Sequence, residues 1–382
     1  MLVEPVSSGQ DLDEFIDLPA RLYAEYPGFE PPLRMDRKML LDPRQSAFWK
    51  RARAQYWLAR RDGQVVGRIS AQVDPVMPVG IEPGAGMFGC IDATDDREAI
   101  AALVQAAEDW LKEQGCSSMF GPCTLDMNDE PGLLVEGSEQ PPMTLCPWHP
   151  PYLGAHLETF GLVKLRDLHS WRRDLAQHAP SAPDNRLRLA ERIPGLTIRY
   201  LERRHLARDL QILCDVYNDG WQDHWGFIPL TLTDLDGLDQ LIRWFVPKEA
   251  FKIVELAGKP IGVMLLVPNF FELTHGLAPR PTAAGWMKLL WRAARHRFTS
   301  GRIIVVGVAR ELQATVVGGA VAALLVDELI AGQTTLQGKW VEAGWVLENN
   351  SALVRILERF EFERNKTFRI YSKTIMAPDS AG

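Results

Sequence analysis

The feature that most constrains the fold of this chain is an internal repeat. Three segments recur in the same order at offsets of 195 to 200 residues. They are PGFEPPL at Pro27 with WGFIPLT at Trp225, YWLARRDGQVVGRISAQV at Tyr56 with FKIVELAGKPIGVMLLVP at Phe251, and LETFGLVKLRDLHSW at Leu157 with LERFEFERNKTFRIY at Leu357. A shared order at a nearly constant offset indicates two copies of one domain.

Length and composition agree with two packed domains. The chain has 382 residues, of which 46% are hydrophobic, and this is enough apolar material for two cores. The repeat places the N-terminal domain at residues 1–178 and the C-terminal domain at residues 195–382. Residues 179–194 contain several prolines and no strand pattern, so they are predicted to form the linker.

Both copies predict the same order of elements. Each begins with a β-hairpin, whose turn is Asp62-Gly63 in the first copy and Ala257-Gly258 in the second. A strand, a helix, another strand, another helix and a final hairpin follow. This order predicts a mixed α/β sheet in each half.

Charge and cysteine content exclude several classes of protein. The formal net charge of −7 gives no footprint for nucleic-acid binding. No run of 18 apolar residues is present, and the N-terminus does not read as a secretory signal. The five cysteines form no C-x-x-C pair and stand at no metal-ligand spacing from a histidine. We therefore expect a cytoplasmic protein with reduced thiols and without a metal.

One strand-to-helix junction has the pattern of a phosphate-binding turn. The segment GVARELQATVVGGAVAALLVDELIAG, from Gly307 to Gly332, places Gly318-Gly319 at the start of a helix. Backbone N–H groups at a helix start are unpaired and suit an anion, and glycine allows it to approach closely. With the element order, this segment resembles the GNAT-fold acyltransferases, which bind the pyrophosphate of acyl-CoA in this way. The resemblance implies two tandem GNAT-like domains, each with a mixed, mostly antiparallel central sheet flanked by helices, and acyl-CoA as co-substrate.

The family pattern for this turn is Gln/Arg-x-x-Gly-x-Gly/Ala, and it fits in two registers. Without a gap, it runs from Gln313 to Gly318 and places valine at the first glycine. With a loop two residues longer, it runs from Thr315 to Ala320, and this register keeps the small residues in place. The resemblance then implies these CoA-binding residues: Val308, Ala309, Thr315, Val316, Val317, Gly318, Gly319, Ala320 and Asn350. The alternative is a glycine pair that only admits a close helix.

A second family signature lies in the last helix. Asn350 is followed at the family spacing by Leu357, where many relatives have the tyrosine that protonates the departing thiolate, and by Glu361 where they have glycine. The N-terminal copy departs further, because Asp95 and Asp96 in IDATDDREAI would repel a pyrophosphate. We expect that copy to be degenerate for CoA binding.

A narrower resemblance covers nearly the whole chain. The segments FIDLPARLYAEYPGFEPPL, GPCTLDMNDEPGLLVEG, WQDHWGFIPLT and WVLENNSALVRILERFEFERNKTFRIYSK look like those of the two-domain GNAT-like bacterial family that includes the ceramide synthases. It implies N-acyltransfer from acyl-CoA to an amine, with a sphingoid-type lipid amine as first choice. The alternatives are acetylation of a small or peptidyl amine, and non-catalytic binding of acyl-CoA or lipid.

An N-acyltransferase needs a group that takes the proton of the amine. Glu348 follows the strand beside the expected cleft and is the best carboxylate, while His224 and His275 are the alternatives. Each of the three has an equally ordinary structural explanation, such as a cap or a buried hydrogen bond. The aromatic residues predicted to contact the acceptor are Trp221, Trp225, Phe227 and Trp345, which precedes Val346.

Two segments carry further predictions. Residues 280–302 contain six arginine and lysine residues, two tryptophans and no acidic residue, which suits peripheral contact with an anionic membrane. The alternatives are a surface helix with inward tryptophans, and arginines that meet the 3′-phosphate of CoA. Residues 128–152 form a long segment rich in turn residues, and we expect it to line a groove between the copies.

Overall fold

The computed structural model describes residues 1–175, 185–235, 238–331 and 338–375. The chain divides into two compact units. Unit 1 comprises Met1–Leu168, Phe271–His296 and the C-terminal segment from Lys366, and unit 2 comprises His169–Phe270 and Arg297–Asn365.

The described strands and helices follow the alternating order of an α/β protein. The strands are Leu2–Pro5 (β1), Arg53–Arg61 (β2), Gln64–Val73 (β3), Ala85–Ala93 (β4), Ser118–Gly121 (β5), Leu133–Glu136 (β6), Val163–Asp174 (β7), Leu196–Tyr200 (β8), Phe251–Leu256 (β9), Lys259–Pro268 (β10), Ser300–Val308 (β11), Trp340–Leu347 (β12) and Glu363–Thr374 (β13). The helices are Gly9–Leu22 (α1), Arg34–Leu41 (α2), Arg97–Glu113 (α3), Tyr152–Thr159 (α4), Asn185–Ala190 (α5), Leu206–Trp221 (α6), Leu238–Phe245 (α7), Phe271–Thr274 (α8), Ala283–Arg295 (α9), Arg310–Gln313 (α10), Val316–Ala331 (α11) and Ser351–Arg359 (α12).

The two predicted opening hairpins are confirmed. In unit 1, β2 and β3 are antiparallel around Asp62-Gly63, whose φ angles are 51° and 79°. In unit 2, β9 and β10 are antiparallel around Ala257-Gly258, with φ angles of 51° and 82°. Two consecutive positive φ angles are the geometry that joins twisted antiparallel strands by a two-residue loop.

Each unit contains one short parallel pairing next to the hairpin. In unit 1, β4 pairs with β5 from Ala85 to Met87, the N–H of Cys123 donates to the Phe88 carbonyl at 2.9 Å, and β4 continues to Ala93. In unit 2, β11 pairs with β12 from Ser300 to Ile303, and both strands continue beyond that point. The strands of each pair therefore separate and leave a notch at their carboxyl ends. The same arrangement in both units agrees with a duplicated, mostly antiparallel mixed sheet.

Helix α3 shows why the sequence folds against the sheet of unit 1. Asp96 caps it by accepting hydrogen bonds from the N–H groups of Glu98 and Ala99. Its buried residues recur at helical spacing, and they include Ile100, Leu103, Val104, Ala107 and Leu111. Gly67 of β3 admits this face, since a Cβ there would lie 2.7 Å from the Leu103 side chain. Complete burial of each leucine stabilises the packing by roughly 1.5–3 kcal/mol.

The predicted final hairpin of each copy is wrong. One uninterrupted strand follows the helix in each case, β7 after α4 and β13 after α12. The residues that resemble a hairpin turn instead end the helices. Gly161 after α4 and Glu361 after α12 have φ angles of 81° and 57°, the left-handed conformation common just beyond a helix C-terminus.

The compact units and the predicted domain boundaries differ in three places. The end of β7 from His169 onward was predicted for the N-terminal domain but lies with unit 2. The insert at Phe271–His296 and the strand from Lys366 onward lie with unit 1, although both follow the predicted linker in the sequence. The strand from Lys366 belongs to unit 1 because of strand pairing. Tyr371 of β13 pairs with Gly121 of β5, and Phe368 of β13 pairs with Leu134 of β6. Of the predicted linker, 179–184 lie outside the described residues, and the helix α5 packs against α11.

Candidate functional site

An aromatic cluster in unit 2 lies over the separated end of β11. The indole Nε1 of Trp221, the last residue of α6, donates a hydrogen bond to the carbonyl of Val306 at 3.2 Å. The ring of Trp221 stacks on Tyr217, and Phe227 packs on the same tyrosine with ring centroids 5.6 Å apart. The ring of His224 lies 4.9 Å from that of Trp221. The structure therefore brings three sequence-predicted residues together: Trp221, His224 and Phe227.

His224 is held by its backbone and ring face. Its N–H donates to the Trp221 carbonyl at 2.8 Å, whereas its Nδ1 is buried and has no hydrogen-bond partner among the described residues. Asp223 does not orient the imidazole, because its carboxylate forms an ion pair with Arg310 at 2.6 Å. Within the described ranges, no contact fixes which ring nitrogen carries the proton, so the imidazole is able to donate or accept at its accessible edge.

The turn after β11 is folded into the short helix α10. The Gln313 amide closes it by donating to the carbonyls of Gly220 and Val308, at 2.6 and 3.0 Å. Thr315 then caps α11, since its hydroxyl accepts from the N–H of Gly318 at 3.1 Å. A Cβ on Gly318 would lie 2.0 Å from the carbonyl oxygen of Leu312. Gly318 is therefore needed by this close turn, independently of any phosphate.

Two backbone N–H groups at the start of α11 in unit 2 are available to a pyrophosphate. The N–H of Ala309 is already used, because it donates to the Ile261 carbonyl at 2.8 Å. At the start of α11, the N–H groups of Val316 and Val317 have no acceptor within the described residues, and Val316 is 72% exposed. Such open donors at a helix start suit an anion. Gly319 and the buried Ala320 continue the helix behind them.

The other residues predicted for this site lie at the end of β12. Glu348 is exposed, one residue beyond the strand. Asn350 caps α12, because its side-chain oxygen accepts from the N–H of Leu353 at 3.1 Å. Trp345 lies on β12 under the guanidinium of Arg302, 4.1 Å from the ring centroid. Trp225 is half-buried in the turn that follows α6.

His275 lies in unit 1, apart from the cluster that contains His224. Its Nδ1 is 3.1 Å from Glu30, and the Glu30 carboxylate also accepts from the N–H of Gly276. With 78% of its side chain exposed, His275 is a surface residue that anchors the insert. The contact of His275 with Glu30 therefore has a structural explanation.

The helix start of unit 1 that corresponds to the phosphate-binding turn satisfies its own donors. Asp96 caps α3, and the Asp95 carboxylate lies 2.7 Å from the Nε2 of His156. The carboxylates meet the helix dipole in place of an external anion. The loss of CoA binding in the first copy stays a prediction.

Unit 1 also contains a cavity, which sequence analysis did not find. Its volume is about 110 Å³, and it lies between α1, α2, the end of β4 and the chain after β5. The segment at residues 128–152 supplies much of its wall, including Glu130, Met143, Trp148 and His149. The unusual length of that irregular segment was the available signal, but its partners Arg37 and Arg68 lie far away in the sequence.

Buried charges at this cavity are paired. Arg37 forms a bidentate ion pair with Glu130, which also accepts from the hydroxyl of Thr124 at 2.9 Å. Arg68 pairs with Asp92 at 2.7 Å. Despite burial, the Arg37 guanidinium and the hydroxyl hydrogen bond hold the pKa of Glu130 below its usual range. Burial lowers the pKa of His149 to about 4, so this imidazole is neutral at pH 7.

Two curated proteins resemble the chain over almost its whole length. Protein YghO of Escherichia coli is 34% identical over 381 residues, 98% of this chain and 95% of that protein. The bacterial ceramide synthase of Caulobacter vibrioides is 34% identical over 375 residues, 98% of this chain and 97% of that protein. The chain belongs to the bacterial ceramide synthase family. No family model matches the chain.

Solved structures confirm the fold of this family member. A tandem GNAT protein from the clavulanic acid biosynthesis pathway superposes with a TM-score of 0.57 over 99% of both chains, at 12% identity. A GCN5-related N-acetyltransferase from Sphaerobacter thermophilus gives a TM-score of 0.53 over 98% of this chain and 96% of that one, at 14% identity. The predicted tandem GNAT fold is therefore confirmed.

Proposed function

We propose that this protein is an acyl-CoA-dependent N-acyltransferase whose acceptor is a lipid amine of the sphingoid type. The observation that carries the proposal is the 34% identity to a bacterial ceramide synthase over nearly the full length of both chains. The GNAT fold supports acyl-CoA as the co-substrate, and the open N–H groups of Val316 and Val317 suit its pyrophosphate. No step requires a metal ion.

The reaction joins the amine nitrogen to the thioester carbon and breaks the bond between that carbon and sulfur. The ammonium group must first lose a proton to become a nucleophile, and the departing thiolate takes up a proton. The products are an amide and CoA. Leu357 stands where relatives have tyrosine and cannot donate this proton, so water or another side chain supplies it.

His224 and Glu348 are the residues of unit 2 proposed to receive the amine proton. His224 lies in the aromatic cluster beside the open end of β11, and Glu348 follows the open end of β12. Trp221, Phe227, Trp225 and Trp345 are proposed to contact the acceptor. The cluster supports His224 more strongly than the exposed Glu348.

The test is product analysis with the full chain. Pure protein is incubated with acyl-CoAs of several chain lengths and with long-chain sphingoid, small and peptidyl amines, and products are identified by mass. We expect a long-chain amide that forms only when a sphingoid-type amine is present. Acylation of small amines alone would assign an acetyltransferase instead. Acyl-CoA binding without any amide product would assign a binding protein.

Variants then identify the base. His224→Asn or Glu348→Gln should lower turnover by roughly 10²–10⁴-fold, with a smaller change in acyl-CoA affinity, if that residue accepts the proton. The matched control is His275→Asn, whose contacts lie in unit 1 and which should keep full turnover. Unchanged turnover and an unchanged pH–rate profile would remove the tested residue from the mechanism.

Membrane contact is proposed to proceed through α9. None of the helices in the described parts is long and apolar enough to span a bilayer. Helix α9 buries no residue, and Met287, Leu290 and Trp291 are each at least 60% exposed. Its charged residues are Lys288, Arg292 and Arg295, with no acidic residue among them. This apolar and basic face complements an anionic lipid surface.

A further inference from the structure

The loop after α6, residues 222–230, carries three of the side chains proposed to meet the acceptor, and we call it the acceptor loop. It is described throughout and contains neither helix nor strand. Two backbone hydrogen bonds shape its first part, from His224 N–H to the Trp221 carbonyl at 2.8 Å and from Phe227 N–H to the His224 carbonyl at 3.2 Å. Because a loop has no ladder of backbone hydrogen bonds, side-chain contacts decide where it lies.

One side chain of α6 holds the far end of the acceptor loop. The Nδ2 of Asn218 donates to the carbonyl of Leu230, and its Oδ1 accepts from the N–H of the same residue, both at 2.8 Å. This reciprocal pair has the pattern that two residues exchange between antiparallel strands. Asn218 therefore closes a loop of 12 residues onto its own helix.

The same turn of α6 also holds the phosphate-binding turn. The carboxylate of Asp219 accepts from the backbone N–H of Arg310 at 2.7 Å, and the carbonyl of Gly220 accepts from the Gln313 amide at 2.6 Å. Three successive residues of one helix thus fix two segments, the turn proposed for acyl-CoA and the acceptor loop. Of these contacts, those of Asn218 reach the acceptor loop alone.

The repeat shows that the fold itself does not require this contact. At the offset of 198 residues that relates PGFEPPL to WGFIPLT, Asn218 matches Ala20 and Leu230 matches Pro32. Alanine has no side-chain amide, and proline has no N–H to donate. The reciprocal pair therefore belongs to unit 2 and cannot form at the matching positions of unit 1.

We propose that Asn218 is a positioning residue for the acceptor, which holds the acceptor loop so that His224 and Phe227 face the amine. The proposal rests on the proposed acyltransfer in unit 2 and adds to it the side chain that aligns the amine. Asn218 does not touch the reacting atoms in this role. It acts through the loop, because groups that meet a substrate must be held within about 0.5 Å of their working positions.

Steady-state kinetics with the full chain separate the two substrates. In Asn218→Ala, kcat/KM for the sphingoid-type amine should fall about 10- to 100-fold, because small displacements of positioning groups have effects of this size. Acyl-CoA affinity, measured by calorimetry, should stay as in the wild type, since Asp219 and Gln313 keep their contacts. The matched control is Gln211→Ala, which removes an amide that donates to Asp215 on the same helix and should keep both values.

Hydrogen exchange follows the loop directly. The N–H of Leu230 should exchange faster in Asn218→Ala, together with the rest of residues 222–230, whereas β10 should remain as protected as in the wild type. Asn218→Asp keeps an oxygen that accepts from Leu230 but loses the donor to its carbonyl. It should therefore lie between the wild type and Asn218→Ala in both exchange and kcat/KM for the amine.

Several outcomes would overturn the proposal. They are an unchanged kcat/KM for the amine in Asn218→Ala, an equal loss of acyl-CoA affinity, or unchanged exchange of the acceptor loop. If the wild type forms no amide, the proposed acyltransfer fails by itself, and calorimetry with the sphingoid-type amine then decides the role of Asn218. Weaker amine binding by Asn218→Ala than by the wild type and Gln211→Ala would support positioning, and equal binding would refute it.

Discussion

At the scale of single residues, the phosphate-binding turn is where pattern and geometry differ. The sequence offers glycines at a helix start, which is the pattern of an anion site. The structure uses Gly318 to let α11 pass the Leu312 carbonyl, and Thr315 takes its N–H. The donors left for a phosphate belong to the valines on the N-terminal side of the glycine pair.

Gly318→Ala should therefore destabilise the protein even without ligand. The new Cβ would meet the Leu312 carbonyl at 2.0 Å, and overpacking of this kind costs about 1–3 kcal/mol. Urea unfolding of the ligand-free chain measures it. Gly9→Ala at the start of α1 is the control, because its Cβ meets nothing within 4 Å and should be neutral or slightly stabilising. If the two variants were equally stable, the predicted steric conflict at residue 318 would be contradicted, and Gly318 would be explained by ligand binding alone.

His149 gives a prediction about pH. Its pKa is about 4 in the folded state and about 6.5 when unfolded, so the unfolded chain binds its proton first on acidification. The contribution of His149 to stability is complete above about pH 6.5 and is lost as the pH falls toward 4. The loss is about 3 kcal/mol at most.

Unfolding free energies of the wild type and His149→Asn between pH 7 and 4.5 check this. Other carboxyl groups titrate in both proteins, so the difference between the two curves isolates the histidine. The wild type should lose stability more steeply than the variant. Parallel curves would contradict the lowered pKa.

At the scale of elements, the basic residues of α9 differ in what they contact. Arg292 donates to the carbonyls of Leu273 and His275, both at 2.8 Å, so it holds α9 to α8. Lys288 and Arg295 are exposed on either side of Trp291 at helical spacing. Only these two are suitable for testing membrane contact without disturbing the insert.

Charge reversal by Lys288→Glu with Arg295→Glu should weaken binding to vesicles that contain anionic lipid. Each basic residue near such a surface contributes about 1 kcal/mol, so affinity should fall by more than tenfold and wild-type binding should weaken with salt. Cosedimentation measures it. Lys50→Glu with Arg53→Glu changes net charge equally on another exposed surface of unit 1 and should bind as the wild type does. Equal loss in both variants would indicate a nonspecific charge effect.

At the scale of the whole molecule, the two units are not successive stretches of sequence. Residues from Lys366 complete the sheet of unit 1, where Thr367 donates to Glu136 at 2.6 Å and Arg369 pairs with Asp167 at 2.9 Å. Phe368, Ile370 and Tyr371 are completely buried. The sheet of unit 1 is therefore built partly from residues that follow unit 2 in the sequence.

A chain that ends at Asn365 should lose the structure of unit 1, including β5 and β6, which would have no partner in β13. Hydrogen exchange of β6 and limited proteolysis measure this loss. A chain that ends at Ile375 keeps the described strand contacts and should behave as the full chain does. Protection of β6 in the shorter chain would show that unit 1 is complete without the last strand.

The opening hairpins could be predicted from the sequence because they depend on local signals, and the duplication and the GNAT fold because the order of segments recurs along the chain. Turn pairs such as Asp62-Gly63 and the apolar period of α3 act over a few residues and hold in any context. The final hairpins were mispredicted because a left-handed residue after a helix has the same composition as a turn between strands.

The sequence does not show which distant residues meet, because these contacts form only in the folded chain. Pairing of the last strand with β5 and β6 joins residues that are more than 200 positions apart in the sequence, and no local pattern encodes it. The cavity has the same origin, since Arg37, Arg68, Glu130 and His149 come from four separate segments. The roles of Gly318 and Arg292 also follow from the carbonyl groups they approach, because a sequence pattern specifies a residue type but not its neighbours in space.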